Sequence, residues 1–503
     1  MATTSLVVAV AVSFVVIVIS VYAFQLLTNA RRHLPPGPLP LPLVGNLLHI
    51  GRDNPHRSLA HLAERYGGSL MSVRLGVVQA VVVSSADAAS EILHKHNAHV
   101  ADRPAVDAWL ANGHRANSLI GSQPNARWRA LRKLCVTELF ASSRLNALRP
   151  MREEKAAELV RHVSRHAARG EAVTVRDLAF TAAMNILSGA LFSVDLDSGP
   201  SDREFKDAVK EATLVLVAPN VSDFFPAIAA ADLQGLRRRM ASLVALSYRA
   251  IDQQFEQRLR GREAREPRKN DMLDTVLDRE QAEWKQDGSL IDRQAIKGMF
   301  TDLFAAGSDT SSTTVEWAMT ALLQHPEAMN KVKRELRQVL GNKARVEESD
   351  IDRLPYLQAV VKEVLRFYPS VAVTLYRAQE TVHVQGYTIP QGTTIILNIW
   401  AVHRNAHVWD DPAKFEPERF INRESDLSGK DSKLIPFGGG RRTCVGLPLA
   451  YRTIHLILAS LLHHFEWDLP QEAMDNGLDM TEKFGLVVSM ATPLKAIPKK
   501  CEL

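Results

Sequence analysis

The most informative stretch of this 503-residue sequence reads Phe437-Gly438-Gly439-Gly440-Arg441-Arg442-Thr443-Cys444-Val445-Gly446, and an apolar run over residues 447–462 follows it. Glycines let the backbone approach a bound group closely and turn its N–H groups towards the sulfur of Cys444. The start of the following helix and the neighbouring arginines favour a thiolate, so we expect a lowered pKa for this thiol. The stretch therefore predicts a thiolate held against a large, flat and anionic partner.

Haem has this shape and charge, and an axial cysteine thiolate is the ligand that favours cleavage of an O–O bond. Two plainer interpretations are an inert buried cysteine and a glycine-rich loop that holds a phosphate. The sequence contains neither a Walker lysine pattern nor GxGxxG at this place, which disfavours the phosphate. The spacing F-x-x-G-x-R-x-C-x-G resembles the haem-ligand loop of the cytochrome P-450 family. The resemblance implies that Cys444 is the axial ligand of haem b iron and that Phe437 and Gly446 lie against the haem.

The bulk composition is that of an ordinary globular protein. Hydrophobic residues make up 46% of the chain, charged residues make up 23%, and no linker-like stretch divides it after residue 50. We therefore expect residues 46–503 to form a single catalytic domain. The net charge is +5 and no basic stripe alternates with aromatic residues, so nucleic acid is not an expected partner. The cysteines Cys135, Cys444 and Cys501 show no disulfide-framework spacing, which is typical of a reducing compartment.

The N-terminus differs from the rest of the chain. Residues 4–30 carry no charge and residues 6–24 are nearly all apolar, which reaches the ~20 residues that cross a bilayer. A cleaved signal peptide is the alternative, but the apolar run is long and no positive charge precedes it. Because Arg31 and Arg32 follow directly, the positive-inside rule places the body in the cytosol. We expect an anchor over residues 1–30, a proline-rich hinge over 31–45, and a single-pass protein of the endoplasmic reticulum membrane.

The remaining pattern predicts a mainly α fold with a small β-sheet region, as in the cytochrome P-450 fold. Amphipathic helical periodicity dominates residues 125–260, and no internal repeat is present. The charged residues 257–270 are interpreted as a solvated loop. The other predicted elements are a hairpin over 69–84 with its turn at 75–76, a helix over 86–94, a long helix over 292–324, and strands over 381–384 and 393–399 on either side of a turn-rich segment.

The long helix carries Ala306-Gly307-Ser308-Asp309-Thr310. Ala306 and Thr310 are four residues apart and share a helix face. Gly307 costs a helix about 1 kcal/mol, which predicts an opened turn there. The alternative is a threonine hydroxyl that bonds back to its own helix. The motif resembles the oxygen-activation motif of the family, which implies that Asp309 and Thr310 relay protons to bound oxygen and that Ala306 lies beside the haem.

Two further groups match the family pattern. Glu363 and Arg366 lie three residues apart on an apolar helix, and Arg419 follows in Phe-Glu-Pro-Glu-Arg-Phe, which resembles the Glu-Arg-Arg network with a structural role. The haem propionates need cations, and the indole and guanidinium groups of one W-x-x-x-R helix can reach carboxylates. The resemblance assigns the propionates to Trp128, Arg132, Arg377 and Arg442.

The chain looks like the plant microsomal A-type group, and most like the geraniol-hydroxylase-like terpenoid oxidases. Ser370 and Tyr376 depart from that group, which usually has prolines at these two positions. The lining residues expected for the substrate are nearly all apolar, which suits a hydrocarbon held by shape. We predict a terpenoid, a polycyclic diterpene olefin ahead of a monoterpenol, while a flavonoid, an alkaloid or a xenobiotic stays open. The expected lining residues are Phe304, Ala305, Val371, Val373, Thr374, Leu375, Phe484 and Leu486.

The resemblance implies a monooxygenase that inserts one atom of O₂ into a C–H bond. No nicotinamide, flavin or iron–sulfur motif is present, so electrons from NADPH must come through a partner reductase, and a cytochrome b-type donor is a second candidate. The basic helix residues Arg127, Arg129, Arg132 and Lys133 form either a docking face for that reductase or ordinary surface charge. Other functions left open are a reductase-independent haem-thiolate isomerase and a non-enzymatic haem protein, although the presence of Thr310 favours the monooxygenase.

Overall fold

The computed structural model describes residues 33–51, 53–196, 199–284, 290–421 and 426–501, with isolated positions between 6 and 22. Most of the expected anchor, residues 1–30, lies outside the described residues, and so do Arg31 and Arg32 at the start of the expected hinge. Within the described part of the chain, no helix is both long enough and apolar enough to cross a membrane. The division into anchor, hinge and catalytic domain therefore stays a prediction.

Helices make up most of the described chain, as predicted. They are α1 (Pro55–Tyr66), α2 (Ala86–Ser90), α3 (His114–Asn117), α4 (Ala126–Leu134), α5 (Ser142–Ala147), α6 (Arg149–Ala167), α7 (Val175–Phe192), α8 (Pro200–Val217), α9 (Val221–Phe224), α10 (Leu236–Glu263), α11 (Met272–Arg279), α12 (Arg293–Gln324), α13 (Pro326–Leu340), α14 (Pro355–Phe367), α15 (Ile399–Val402), α16 (Leu447–His464) and α17 (Gln471–Asn476). A π-helical turn, Glu91–Lys95, continues α2 and completes the helix predicted over residues 86–94.

The strands form small sheets. They are β1 (Leu70–Leu75), β2 (Val78–Val83), β3 (Val173–Thr174), β4 (Val373–Arg377), β5 (Val382–Val384), β6 (Tyr387–Ile389), β7 (Thr394–Asn398), β8 (Phe465–Asp468), β9 (Glu482–Lys483), β10 (Ser489–Met490) and β11 (Lys495–Lys500). The largest described sheet has the order β1-β2-β7-β4, and a second has the order β3-β11-β8. In the first sheet β2 and β7 are parallel, while β1 and β4 run antiparallel to their neighbours.

The predicted hairpin is confirmed. Leu70 lies opposite Val83 in an antiparallel pair, and Gly76 takes a positive φ of 60° in the turn, a conformation that glycine adopts without strain. The segment interpreted as turn-rich contains strand β6, which pairs with β5 across Gln385 and Gly386. Strand β4 was also missed, because its apolar residues were interpreted only as pocket lining.

Two other expectations about helices need correction. The charged residues 257–270 are not all loop, since α10 continues to Glu263. The long helix α12 is confirmed, with the Asp292 side chain accepting a 2.7 Å bond from the N–H of Ala295. It runs without an opened turn at Gly307. A side chain at Gly307 would come within 2.8 Å of Leu187 Cδ1 on α7. The glycine is therefore explained by close helix packing.

Helix α12 is largely buried and packs against both α7 and α16. Most of its residues between 295 and 322 are buried. Residues 305–307, 309 and 310 interrupt this pattern and are only half-buried. Because α16 follows the Cys444 loop directly, the fold brings that loop to the same helix.

Candidate active site

The Cys444 loop is shaped by backbone bonds and left-handed glycines. The N–H of Cys444 donates a 2.9 Å bond to the carbonyl of Phe437, which closes the loop. Gly438 and Gly440 have φ values of 70° and 65°, which non-glycine residues rarely adopt. The N–H groups of Gly446 and Leu447 point at the Cys444 sulfur from the start of α16. The sequence therefore folds here into a cradle around one thiol.

The sequence predicted a lowered pKa for Cys444, and the structure gives a raised one. Burial raises the pKa of Cys444, and it outweighs the N–H groups of Gly446 and Leu447 and the charge of Arg132, all of which act to lower it. The side chain is nevertheless exposed. Both observations hold together if the sulfur lies far from bulk water but faces an internal space. A metal ion in that space would deprotonate the thiol outright.

Arg442 and Trp128 use their donors within the protein. Arg442 donates to the carbonyls of Ala101 and Ser122, the first at 2.7 Å, and its guanidinium lies 4.4 Å from the centre of the Trp128 ring. The Trp128 Nε1–H donates a 2.9 Å bond to the carbonyl of Leu119. The indole donor is thus engaged by the backbone in this structure, and the assignment of Trp128 to a propionate stays a prediction. Desolvation by burial lowers the pKa of Arg442 to about 9.

Other arginines lie near Arg442 and the Cys444 loop. Arg132 donates a 2.7 Å bond to the carbonyl of Thr443, next to the thiol, and burial lowers its pKa. Within the described residues, the Arg377 guanidinium has no hydrogen bond or ion pair. Arg103, which sequence reasoning missed, donates to Thr374 Oγ1 at 2.9 Å, while its Nε is buried without a partner. Its sequence signal is weak, a single arginine before a proline.

These arginines make the site electropositive. Within the described part of the chain, no carboxylate forms an ion pair with any of the four, although the charge of Asp102 acts to raise the pKa of Arg103 and of Arg442. Buried cations are costly without an anionic partner. A dianionic haem would supply that partner, and its iron would face Cys444. The donor set of the structure therefore fits haem. The fitting residues are Arg103, Arg132, Arg377, Arg442 and Cys444.

The Ala306–Thr310 turn of α12 provides the remaining polar groups. Thr310 Oγ1 donates a 2.6 Å bond to the carbonyl of Ala306, which is the alternative that the sequence left open. Asp309 accepts a 2.6 Å bond from Arg176 of α7. Their side chains are 14% and 25% exposed, so this ion pair reaches solvent. Arg176 carried no signal in the sequence, because its partner lies 133 residues away.

Comparison with known proteins decides the family. The family model described as Cytochrome P450 matches residues 35–495. The chain belongs to the cytochrome P450 family. It is therefore a haem-thiolate protein, and the family places it among monooxygenase oxidoreductases. The fold and the Cys444 loop agree with this membership.

Relatives from plants support the narrower resemblance. Geraniol 8-hydroxylase of Catharanthus roseus is 41% identical over 95% of this chain and 96% of its own length. Carnosic acid synthase of Rosmarinus officinalis is 43% identical over 93% of each chain. Ferruginol synthase of Isodon rubescens is 40% identical over 94% of this chain and 96% of its own length. The predicted resemblance to plant terpenoid oxidases is confirmed.

The structure also brings together the three residues of the Glu-Arg-Arg network. Arg366 contacts both carboxylate oxygens of Glu363, at 2.7 and 2.8 Å, and both side chains are fully buried. Arg419 donates to Glu363 at 3.2 Å, and the N–H of Glu416 donates at 2.8 Å. The network ties α14 to the segment that precedes the Cys444 loop.

The structure places the residues expected to line the substrate pocket in different surroundings. Phe304 is fully buried, with its ring 5.0 Å from Phe205 and 5.8 Å from Phe192, so it belongs to the core and not to a pocket wall. Thr374 is engaged by Arg103. Strand alternation sends neighbouring β4 side chains to opposite faces, and Val373 and Leu375 pack on the apolar side of the four-stranded sheet. Ala305, Val371 and Leu486 are half-buried and stay predictions as lining residues.

The loop that carries Phe484 is held by residues near the N-terminus. Glu482 accepts bonds from His56 Nε2 at 3.0 Å and Arg57 Nε at 2.8 Å. The Phe484 ring stacks on His56 with centroids 5.6 Å apart. Burial raises the pKa of Glu482, but these two bonds outweigh it and lower the pKa to about 2. Sequence reasoning missed His56, since its partner lies 426 residues away.

Proposed function

We propose that this protein is a plant monooxygenase that hydroxylates a terpenoid, with a polycyclic diterpene olefin ahead of a monoterpenol. The observation that carries the proposal is the combination of the Cys444 cradle with relatives named for geraniol, ferruginol and carnosic acid. The half-buried residues expected at the pocket are mostly apolar, which favours a hydrocarbon held by shape.

Bound haem would supply the activation of O₂, and the chain supplies the ligand and the protons. Cys444 would hold the iron through its sulfur. Asp309 reaches solvent through Arg176, so it can take up a proton from water. Thr310 Oγ1 donates to the carbonyl of Ala306 in this structure, and when that bond opens its hydroxyl would be free to hand a proton to bound oxygen. Replacing Thr310 by alanine is expected to leave haem bound while NADPH oxidation is uncoupled from product.

Electrons come from NADPH through a separate reductase, with a cytochrome b-type protein as an additional donor. Arg129, Lys133 and Arg441 are exposed beside the Cys444 loop. Arg127 and Arg132 are less available, because they contact Asp292 and Thr443. An acidic partner is therefore expected at the three exposed side chains. Lys133→Glu should weaken reductase-supported turnover in a salt-dependent way and leave chemical reduction by dithionite unchanged.

The protein is proposed to lie in the endoplasmic reticulum membrane with its catalytic domain in the cytosol. The apolar N-terminal stretch is the main support. Apolar side chains are also exposed beside the hinge and on nearby loops, and backbone bonds join Gly76 to Val44 and Val77 to Phe224. The exposed residues are Leu39, Leu41, Leu43, Leu48, Val77, Ile228 and Leu233. Carbonate extraction of microsomes checks this, and recovery in the soluble fraction would contradict it.

The substrate assay combines full-length protein, reductase and NADPH with separate diterpene olefins, monoterpenols and phenolics. Hydroxylated diterpene is the expected product, and turnover of phenolics alone would refute the terpenoid proposal. Replacing NADPH and reductase with a fatty acid hydroperoxide tests the haem-thiolate isomerase. Product under those conditions alone would favour that second function.

A further inference from the structure

Ser370 is joined to helix α12 by its hydroxyl group. It lies just after α14 and is 8% exposed. Its Oγ is 2.8 Å from Thr314 Oγ1 and 3.3 Å from the carbonyl oxygen of Thr310, and its single proton is donated to one of these two oxygens. Thr314 Oγ1 also donates to that carbonyl, at 2.8 Å. Two hydroxyl groups, one of them from another segment, therefore converge on the peptide group of Thr310.

The backbone of Ser370 connects the same region of α12 to a third segment, which contains Val488. Its carbonyl accepts a 2.8 Å bond from the N–H of Val488, and the Val488 carbonyl accepts a 3.0 Å bond from Trp317 Nε1 on α12. The Trp317 ring stacks on Tyr368 at 4.3 Å with an angle of 3°. Ser370 is thus the point where α12, the end of α14 and the loop carrying Phe484 and Leu486 meet.

The physical consequence concerns the geometry of one helical turn. Side-chain hydroxyls that bond to a helix carbonyl compete with the backbone and bend the helix locally. The carbonyl concerned belongs to Thr310, whose own hydroxyl already bonds to Ala306. Without the Ser370 hydroxyl, the Thr310 carbonyl and the Thr314 hydroxyl lose their polar contact from outside the helix, and water can enter the turn. The position of the Thr310 hydroxyl then becomes less defined.

We propose that Ser370 is a positioning residue that fixes the Thr310 turn relative to the substrate loop and so couples oxygen consumption to hydroxylation. The proposal rests on the monooxygenase function proposed above. Neither proline nor alanine at this position has a hydroxyl, so neither can make the side-chain contacts of Ser370.

The test compares Ser370→Ala and Ser370→Pro with the wild type. Losing one such bond is expected to lower product formed per NADPH ~3- to 10-fold, with more peroxide released. The ferrous–CO spectrum should stay unchanged. Thr314→Val should lower the same ratio less, and in its background Ser370→Ala should cost less than alone, because the two hydroxyls share one carbonyl. Thr320→Val is the matched control, since Thr320 Oγ1 donates to the Glu316 carbonyl at 2.8 Å elsewhere on α12.

A second readout does not depend on turnover. Hydrogen–deuterium exchange of the substrate-free holoenzyme should be faster in the peptide spanning residues 306–318 in both Ser370 variants, and unchanged there in the Thr320 control. Equal coupling and equal exchange in the wild type and both Ser370 variants would overturn the proposal. If the wild type forms no product from any terpenoid, the proposed function fails, whereas the exchange difference still decides whether Ser370 holds the turn.

Discussion

Replacing Glu363 by glutamine removes the carboxylate that two arginines share. The pair with Arg366 is fully buried, and Arg419, with a 9% exposed side chain, is its second cationic partner. Glutamine has nearly the same volume, so the change tests charge and not packing. The isosteric amide also presents an N–H₂ group to the guanidinium groups, where only acceptors fit.

The magnitude follows from burial. Removing one partner of a buried ion pair lowers stability by ~3–5 kcal/mol. Arg366 keeps three bonds to the carbonyls of His403, Pro412 and Lys414, each 3.0 Å long. We therefore expect Glu363→Gln to lower the free energy of unfolding by ~3 kcal/mol, the lower end of that range. A typical domain is stable by only ~5–15 kcal/mol, so a large share of the protein should fail to retain haem.

Expression yield of the ferrous–CO complex and the urea midpoint for loss of the Soret band measure the effect. Lys331→Met is the control, because its ion pair with Glu418 is 2.6 Å long but nearly half-exposed. Such a pair contributes under ~1 kcal/mol. If Glu363→Gln shifted the urea midpoint no more than Lys331→Met, the buried network would not stabilise the fold as argued.

Further predictions concern the thiol, the proton path and the substrate loop. Cys444→Ser should abolish the red-shifted Soret band of the ferrous–CO complex, and a variant that kept both the band and activity would exclude a thiolate ligand. Asp309→Asn leaves Arg176 without its carboxylate and should slow hydroxylation ~10²-fold, with a larger solvent isotope effect and unchanged CO binding; an unaltered isotope effect would remove Asp309 from the proton path. Glu482→Gln should lower the urea midpoint at pH 7. Because the folded pKa of Glu482 is lowered from 4.5 to about 2, its contribution is present above pH 4.5 and lost below it, so the gap to wild type should shrink as pH falls from 4.5 towards 2; a gap independent of pH would contradict the pairing of Glu482 with His56 and Arg57.

Local chemistry in the sequence determined the helices, the hairpin and the identity of the thiol. Residues 292–324 carry a long helical pattern with its own cap and stop, so α12 forms as predicted. The Cys444 loop could also be recognised from the sequence, because its glycines, arginines and cysteine follow one another within ten residues (437–446). These features depend on neighbours within a few residues, and periodicity and turn chemistry report them directly.

Tertiary structure decided how distant groups pair and how burial changes their chemistry. Gly307 serves helix packing because Leu187 of α7 lies against it, and no pattern within α12 could show this. Burial reversed the pKa shift expected for Cys444. The partners of Asp309 and Glu482 lie 133 and 426 residues away. Desolvation and long-range contacts depend on which segments the fold brings together, and a linear sequence carries that information only when a pairing leaves a local pattern.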